Sequence, residues 1–216
     1  IPGTDRYDWG RKAAGVVYKG KWDWPVEVAA VEDNTVTLRQ PLRTDVRAEW
    51  NPELRTTGPM VTGAGVEHLA IHFPRARLSR HLENPGYNGI YFENAWDCWA
   101  RNVRITNADN GIGTAASKCI TVDRFVIDGR ANHHSTFCRG GSHDVLWTRF
   151  EVHSKAHHGL NVEGMAAGNV WSAGDMAHGT FDSHRALPFA NMRTDVTVHN
   201  DGRHGGGSTA GPLSSP

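Results

Sequence analysis

Histidine is the residue with the most chemistry to offer in this 216-residue chain, which carries 13 of them. Each imidazole titrates near neutrality and can move a proton or hold a metal. Two consecutive pairs, His133-His134 and His157-His158, stand 24 residues apart, and His178 follows just before Gly179. If that interval is a structural period, His134, His158 and His178 stack at one place. Stacked imidazoles repel when charged, so some stay neutral and are suited to general base work or substrate contact. The same stack also fits a zinc or copper site, or a purely structural ladder at a corner. The expectation adopted is no cofactor and no metal, with a metal at this stack the less favoured reading.

A second group is local. Phe181-Asp182-Ser183-His184-Arg185 sets an acid, a histidine and a guanidinium within a few residues. His184 would give or take the proton, Asp182 would set its tautomer, and Arg185 would neutralise a substrate carboxylate. Downstream, Asn200-Asp201-Gly202-Arg203-His204 repeats the polar theme and offers Arg203 and His204 as further substrate contacts.

These groups meet only if the chain is periodic, and it is. From Gly63 onward, pairs of apolar residues with period 2 recur: Leu69/Ile71, Val103/Ile105, Phe125/Ile127, Phe150/Val152, a degenerate line with Met176, and Val196/Val198. Their second members lie 34, 22, 25, 24 and 22 residues apart. A second column reads Cys98, Ile120, Val145, Val170, Met192. A third opens each coil at Gly89-Ile90, Gly111-Ile112, Ser135-Thr136, Gly159-Leu160 and Gly179-Thr180. One coil cannot bury its own apolar face, whereas stacked coils place like over like. Helical periodicity is absent. The pattern predicts an all-β, right-handed parallel β-helix of about six coils over 61–205. A flexible tail would follow at 206–216.

The long first interval predicts an excursion over Phe73–His81, with basic Arg75, Arg77, Arg80 and His81. Residues 1–60 read as a lead-in that covers the open end. Within them, Val26–Val31 and Thr35–Leu38 flank Asp33-Asn34 as a short β-hairpin.

With Ile90 and Phe92 pointing in, Tyr91 and Glu93 point out. The outward rows then read Tyr91, Gly113, Phe137, Asn161, Phe181 and Glu93, Ala115, Arg139, Glu163, Ser183. Aromatic faces beside charged groups suit a sugar groove. A ladder in which Arg139 and Glu163 neutralise each other is the plainer alternative. Asp182 falls in the inward column, a costly place for an acid without a partner.

Composition narrows the classes. Acidic and basic residues balance, 23 against 23, which speaks against nucleic acid as a partner. No apolar run is long enough for a membrane span. The three cysteines, Cys98, Cys119 and Cys138, sit in apolar strand settings and read as small buried hydrophobes.

The coils from Gly65 to His199 resemble the pectate-lyase-like β-helix superfamily, which includes polysaccharide lyases, polygalacturonase-type hydrolases and mannuronan C5-epimerases. Phe181-Asp182-Ser183-His184 is similar to the epimerases' Phe-Asp-Pro-His, where Asp and His serve the active site. Gly179 stands where those enzymes have tyrosine, and Ser183 where they have proline. The Asp clusters of the calcium-dependent pectate lyases and the Asn-Thr-Asp and Gly-His-Gly signatures of polygalacturonases are not found. The resemblance implies a secreted or cell-surface enzyme acting on a polysaccharide, first of all a lyase cleaving at a uronic acid by β-elimination. His184 or His158 would transfer protons, with Asp182 orienting and Arg185 or Arg139 as neutraliser. Tyr91, Glu93, His134, Asn161, His178 and Phe181 would line the groove. A glycoside hydrolase using Glu163 with Asp182 or Glu93 is the runner-up. A non-catalytic carbohydrate-binding or tailspike-like module is the third reading.

Overall fold

The computed structural model describes residues 23–76, 83–183 and 188–199, and the backbone of Leu213 and Ser214. Its described residues are all β apart from a 3-10 turn at Ala48–Trp50. In chain order the strands begin with β1 (Val28–Glu32), β2 (Thr35–Leu38), β3 (Val61–Thr62), β4 (Gly65–His72), β5 (Asn88–Glu93) and β6 (Ala95–Trp96). The body continues with β7 (Trp99–Thr106), β8 (Asn110–Ala115), β9 (Thr121–Asp128), β10 (Asn132–Arg139) and β11 (Leu146–Val152). It closes with β12 (Ala156–Val162), β13 (Val170–Met176), β14 (Phe181–Asp182), β15 (Met192–Val198) and β16 (Leu213–Ser214).

β1 and β2 form the expected hairpin. All other strand pairs are parallel. A long sheet carries β4, β7, β9, β11, β13 and β15 in spatial sequence; a short sheet carries β5, β8, β10 and β12. The third side is narrow, with β3 on β6 and then single bridges joining Trp96, Lys118, His143, Ala167 and Phe189. The result is a parallel β-solenoid of about four turns. That is fewer than the six coils expected. Fifteen residues separate β4 from β5, and the last strand on the short-sheet side, β14, is two residues long.

The apolar pairs stack as read from the sequence, from Leu69/Ile71 through to Val196/Val198. The degenerate line has a physical cause. Phe150 stacks on Phe125 at 5.1 Å, and its ring fills the space that a Cβ at Gly174 would need. Trp147 and Trp171, both 0% exposed, lie parallel at 5.7 Å in the adjoining core column. Truncating either would cost about 3–5 kcal/mol.

The second expected column holds for three rungs and then changes. In register, Cys98, Ile120 and Val145 are followed by Asn169 and Asn191 rather than by Val170 and Met192. Asn169 Oδ1 accepts from Val145 N–H at 3.1 Å, and its amide donates to Asn191 Oδ1 at 2.9 Å. A side-chain amide carries the same donor and acceptor as the backbone, so it continues the rung-to-rung bonding at a turn. Cys98 and Cys138 are buried as expected; Cys119 is half-buried and accepts from Gln40 Nε2 at 3.0 Å.

Each long-sheet strand bends at one residue with positive φ: His68, Asn102, Arg124, Arg149, Ala173 and Asp195. The register skips that residue in every pair, so the long sheet turns a corner along a continuous ridge.

The described part of the lead-in, from residue 23 on, packs along the flank. Trp24 Nε1 donates to Met165 O at 3.0 Å, and Trp24 stacks on Phe189 at 5.5 Å. Buried Lys118 donates to Gln40 and lies 3.7 Å from the Trp96 ring. Burial holds its ammonium below the usual lysine pKa, with Cys119, Glu27, Asp97 and Asp144 opposing that shift. The hairpin segment thereby clips successive turns together from the side. Among the described residues no helix is long and apolar enough to cross a membrane.

Candidate functional site

The corner that opens β5, β8 and β10 is built on one buried acid. Asp109, 1% exposed, pairs with the guanidinium of Arg130 and accepts the backbone N–H groups of Gly86 and Tyr87 at 2.8 and 2.7 Å. Its own carbonyl accepts from the N–H of His133 at 2.7 Å and of His134 at 3.3 Å. One acceptor serving two successive donors marks a turn in the chain. Consecutive strand residues normally face opposite ways, but here the rings of His133 and His134 sit 4.4 Å apart. The next coil repeats the arrangement, with His157 and His158 at 4.6 Å.

The two pairs meet across the rungs. His134 stacks on His158 at 4.9 Å and 22°, and His133 lies 5.1 Å from His158. Ring nitrogens of His133, His134 and His158 lie within 4.8 Å of one another. The stack is held from both ends. Asn110 Nδ2 donates to Asn88 Oδ1 at 2.7 Å, which leaves Asn110 Oδ1 to accept from His134 Nδ1 at 2.8 Å. At the other end His158 Nδ1 donates to Asp182 Oδ2, which also accepts from Asn161 Nδ2 at 3.3 Å. His158 is 4% exposed, and Asp182 and Asn161 are fully buried. A histidine whose Nδ1–H is given to a carboxylate carries its basic lone pair on Nε2.

Asp182 reaches this place through a one-residue change of register. Val162 bridges Ser183, and the Leu160 N–H donates to Thr180 O. Asp182 therefore follows Asn161 in the outward row, and Phe181 takes the inward position, packed against the core. The expected order had these two reversed, with Phe181 in the groove. A slip of one residue exchanges faces, and this one buries the ring while giving the carboxylate a partner. Ser183 accordingly lies beside Val162 and not in the row of Glu163. Asn161 Oδ1 is buried without a hydrogen bond, a cost of about 1–3 kcal/mol.

Beside the histidines lies an aromatic and charged platform. Phe137 is 5.1 Å from His134 and 5.8 Å from Tyr91. Gly113 lies between Tyr91 and Phe137 in register, and the Phe137 ring occupies the space its Cβ would take. Arg139 lies over Phe137 at 4.8 Å, donates to Tyr91 Oη at 3.1 Å, and comes within 3.9 Å of Glu163. The Arg139–Glu163 ladder is thus present, but loosely, and Arg139 remains exposed. Glu93 is exposed on the same row two rungs away, next to Ala115.

The structure therefore brings together His134, His158, Asn161, Asp182, Tyr91, Arg139 and Glu163. His178 is half-buried and is not one of the three converging histidines; His133 takes that place. His184, Arg185, Arg203 and His204 lie outside the described residues, as do Arg77, Arg80 and His81 of the excursion. At the foot of that excursion Phe73 stacks on Tyr87 at 5.3 Å, on the corner where the histidine strands begin.

Three contributors were not singled out in the sequence. Asp109 and Arg130 form the corner, and their signal was one acid, Asp109, standing 24 residues or about one coil before His133. Arg193 occupies the core column above Trp171 and donates to Leu160 O at 3.1 Å and to Asp182 O at 3.5 Å. Burial pushes its guanidinium down to about 10, with Cys138 and Asp182 opposing the shift. It ties β14, and with it Asp182, to β12.

Searches against family models, curated proteins and solved structures return no match to this chain.

Proposed function

We propose that this chain is a polysaccharide-cleaving enzyme of the pectate-lyase-like kind, acting on a uronic-acid polymer by β-elimination. The observation that carries the reading is the buried His158–Asp182 pair, set on the groove side of the short sheet beside Phe137, Tyr91 and Arg139. Asp182 fixes the tautomer, so Nε2 of His158 takes the proton next to the sugar carboxylate. The electron pair of that C–H bond becomes the new carbon–carbon double bond. The bond to the glycosidic oxygen breaks, and that oxygen leaves with a proton from the imidazolium or from water. Exposed Arg139 pairs with the carboxylate and stabilises the charge that builds on it. Exposed Tyr91 offers a face to the sugar rings, and buried Phe137 packs behind it. His158 thus takes the base role first assigned to His184, and Arg139 that of Arg185. Such polymers are met outside cells, so we place the enzyme at the cell surface or in secretion.

The test is a panel of acidic and neutral polysaccharides, read for unsaturated uronide ends by ultraviolet absorbance and for reducing ends in the same reaction. Both signals rising together supports elimination. Reducing ends alone would assign the reaction to hydrolysis through Glu163. Binding with neither signal would make the chain a recognition module.

A further inference from the structure

The histidine cluster carries more than a single base requires. A dyad needs one imidazole and one carboxylate, yet His133 and His134 converge on His158 so that three ring nitrogens lie within 4.8 Å. Two of the three rings have their tautomers set from behind, His134 by Asn110 and His158 by Asp182. In both, the proton is held on Nδ1 and the lone pair lies on Nε2. This is the outer arrangement by which metal-binding histidines are oriented and made more basic.

We propose that His133, His134 and His158 form a site for a borderline divalent cation of the zinc class. Three imidazoles with no thiolate disfavour soft Cu(I), and the absence of carboxylate oxygen from the donor set disfavours calcium and magnesium. Zinc takes imidazole nitrogen at about 2.0–2.1 Å, so tetrahedral binding draws the three nitrogens to about 3.3 Å apart. His133 and His134 are only half-buried, and small side-chain rotations supply that contraction. Three protein nitrogens leave the fourth tetrahedral position for water or another oxygen ligand. His157, exposed and 4.6 Å from His158, stands at the rim.

The site does not depend on the elimination reading, but one consequence rests on it. Nε2 of His158 cannot hold a metal and accept a proton at once. Occupation by zinc would therefore stop turnover, and a chelator would restore it.

The experiment uses the full chain without a histidine tag, with zinc competed against a chromophoric chelator and Co2+ followed by its visible bands. One equivalent should bind, with cobalt bands characteristic of tetrahedral nitrogen ligation. His133→Ala and His134→Ala should each weaken zinc at least 100-fold, and Asp182→Asn 10- to 100-fold. His143→Ala should bind as the parent does. Circular dichroism of each variant reports folding, and His133→Gln replaces His133→Ala if that chain does not fold. Absence of binding, or zinc held equally well without His133, overturns the site. Stoichiometric binding with unchanged turnover on a cleaved polymer would leave the site standing and remove His158 from the base role.

Discussion

Two of the histidine–aspartate pairs in the molecule, His143–Asp144 and His158–Asp182, serve different ends. On the flank, His143 Nδ1 bonds Asp144 Oδ2 at 2.7 Å and Nε2 bonds Pro25 O at 2.7 Å. Both partners are acceptors, so both bonds are made only by the doubly protonated ring. His143 is a clasp: it holds the lead-in against the solenoid and has no nitrogen left for a ligand. On the short-sheet side, His158 gives Nδ1 to Asp182 and stands among His133, His134 and His157. The same two residue types make a fastening in one place and part of an imidazole cluster in the other, according to what faces the second nitrogen.

Substitution at the second pair should have the largest effect. His158→Ala and Asp182→Asn are expected to lower kcat on a cleaved uronate polymer about 10²–10⁴-fold, measured as unsaturated ends formed per unit time. Asp144→Ala should do the reverse, leaving turnover unchanged while lowering stability by about 1–3 kcal/mol, measured by urea unfolding. It removes the acceptor shared by His143 and Arg43.

Acid should separate the two regions as well. Burial alone would raise the Asp144 pKa, but hydrogen bonds from His143 and Arg43 outweigh it and hold the group below its ordinary 3.8. An acid with a depressed folded-state pKa stabilises fully above its unfolded value and loses that contribution as pH falls through the folded one. The flank should therefore loosen only below about pH 3.8, as increased proteolysis within residues 23–43. Asp144→Ala should abolish that acid transition. The smallest expected effect belongs to Tyr91→Phe, which removes the oxygen that Arg139 donates to. A rise in KM of about two- to tenfold with little change in kcat would place Arg139 in substrate binding.

Much of the body was legible in the sequence because stacking imposes identical demands on each coil. The apolar pairs of the long sheet and the row Tyr91, Gly113, Phe137, Asn161 fall where period and alternation place them. Alternation failed wherever the chain turns. At the corner after Asp109 two adjacent histidines share a side, so His133 was passed over in favour of His178. At β14 the gain from burying Phe181 and pairing Asp182 shifted the register by one, which no count of intervals reveals. Asn169 and Asn191 were hidden by the apolar residues that follow them; a column defined by hydrophobicity overlooks amides doing the work of backbone.

The ridge of left-handed residues has a practical corollary. His68, Asn102, Arg124, Arg149, Ala173 and Asp195 are all exposed. Arg149 and Arg124 pair with buried Asp123, and Asn102 bonds His68, so Ala173 and Asp195 are the two that contribute chiefly a backbone angle. Such positions accept glycine or asparagine readily, so the side chains at Ala173 and Asp195 are open to exchange at little cost to the interior, whereas loss of Arg149 would strip buried Asp123 of its forked partner. Neighbouring rungs lie about 4.8 Å apart. The seam is thus a graduated rule along one edge, and Ala173 and Asp195, on adjacent rungs, are the places on it where a label or charged group can be mounted.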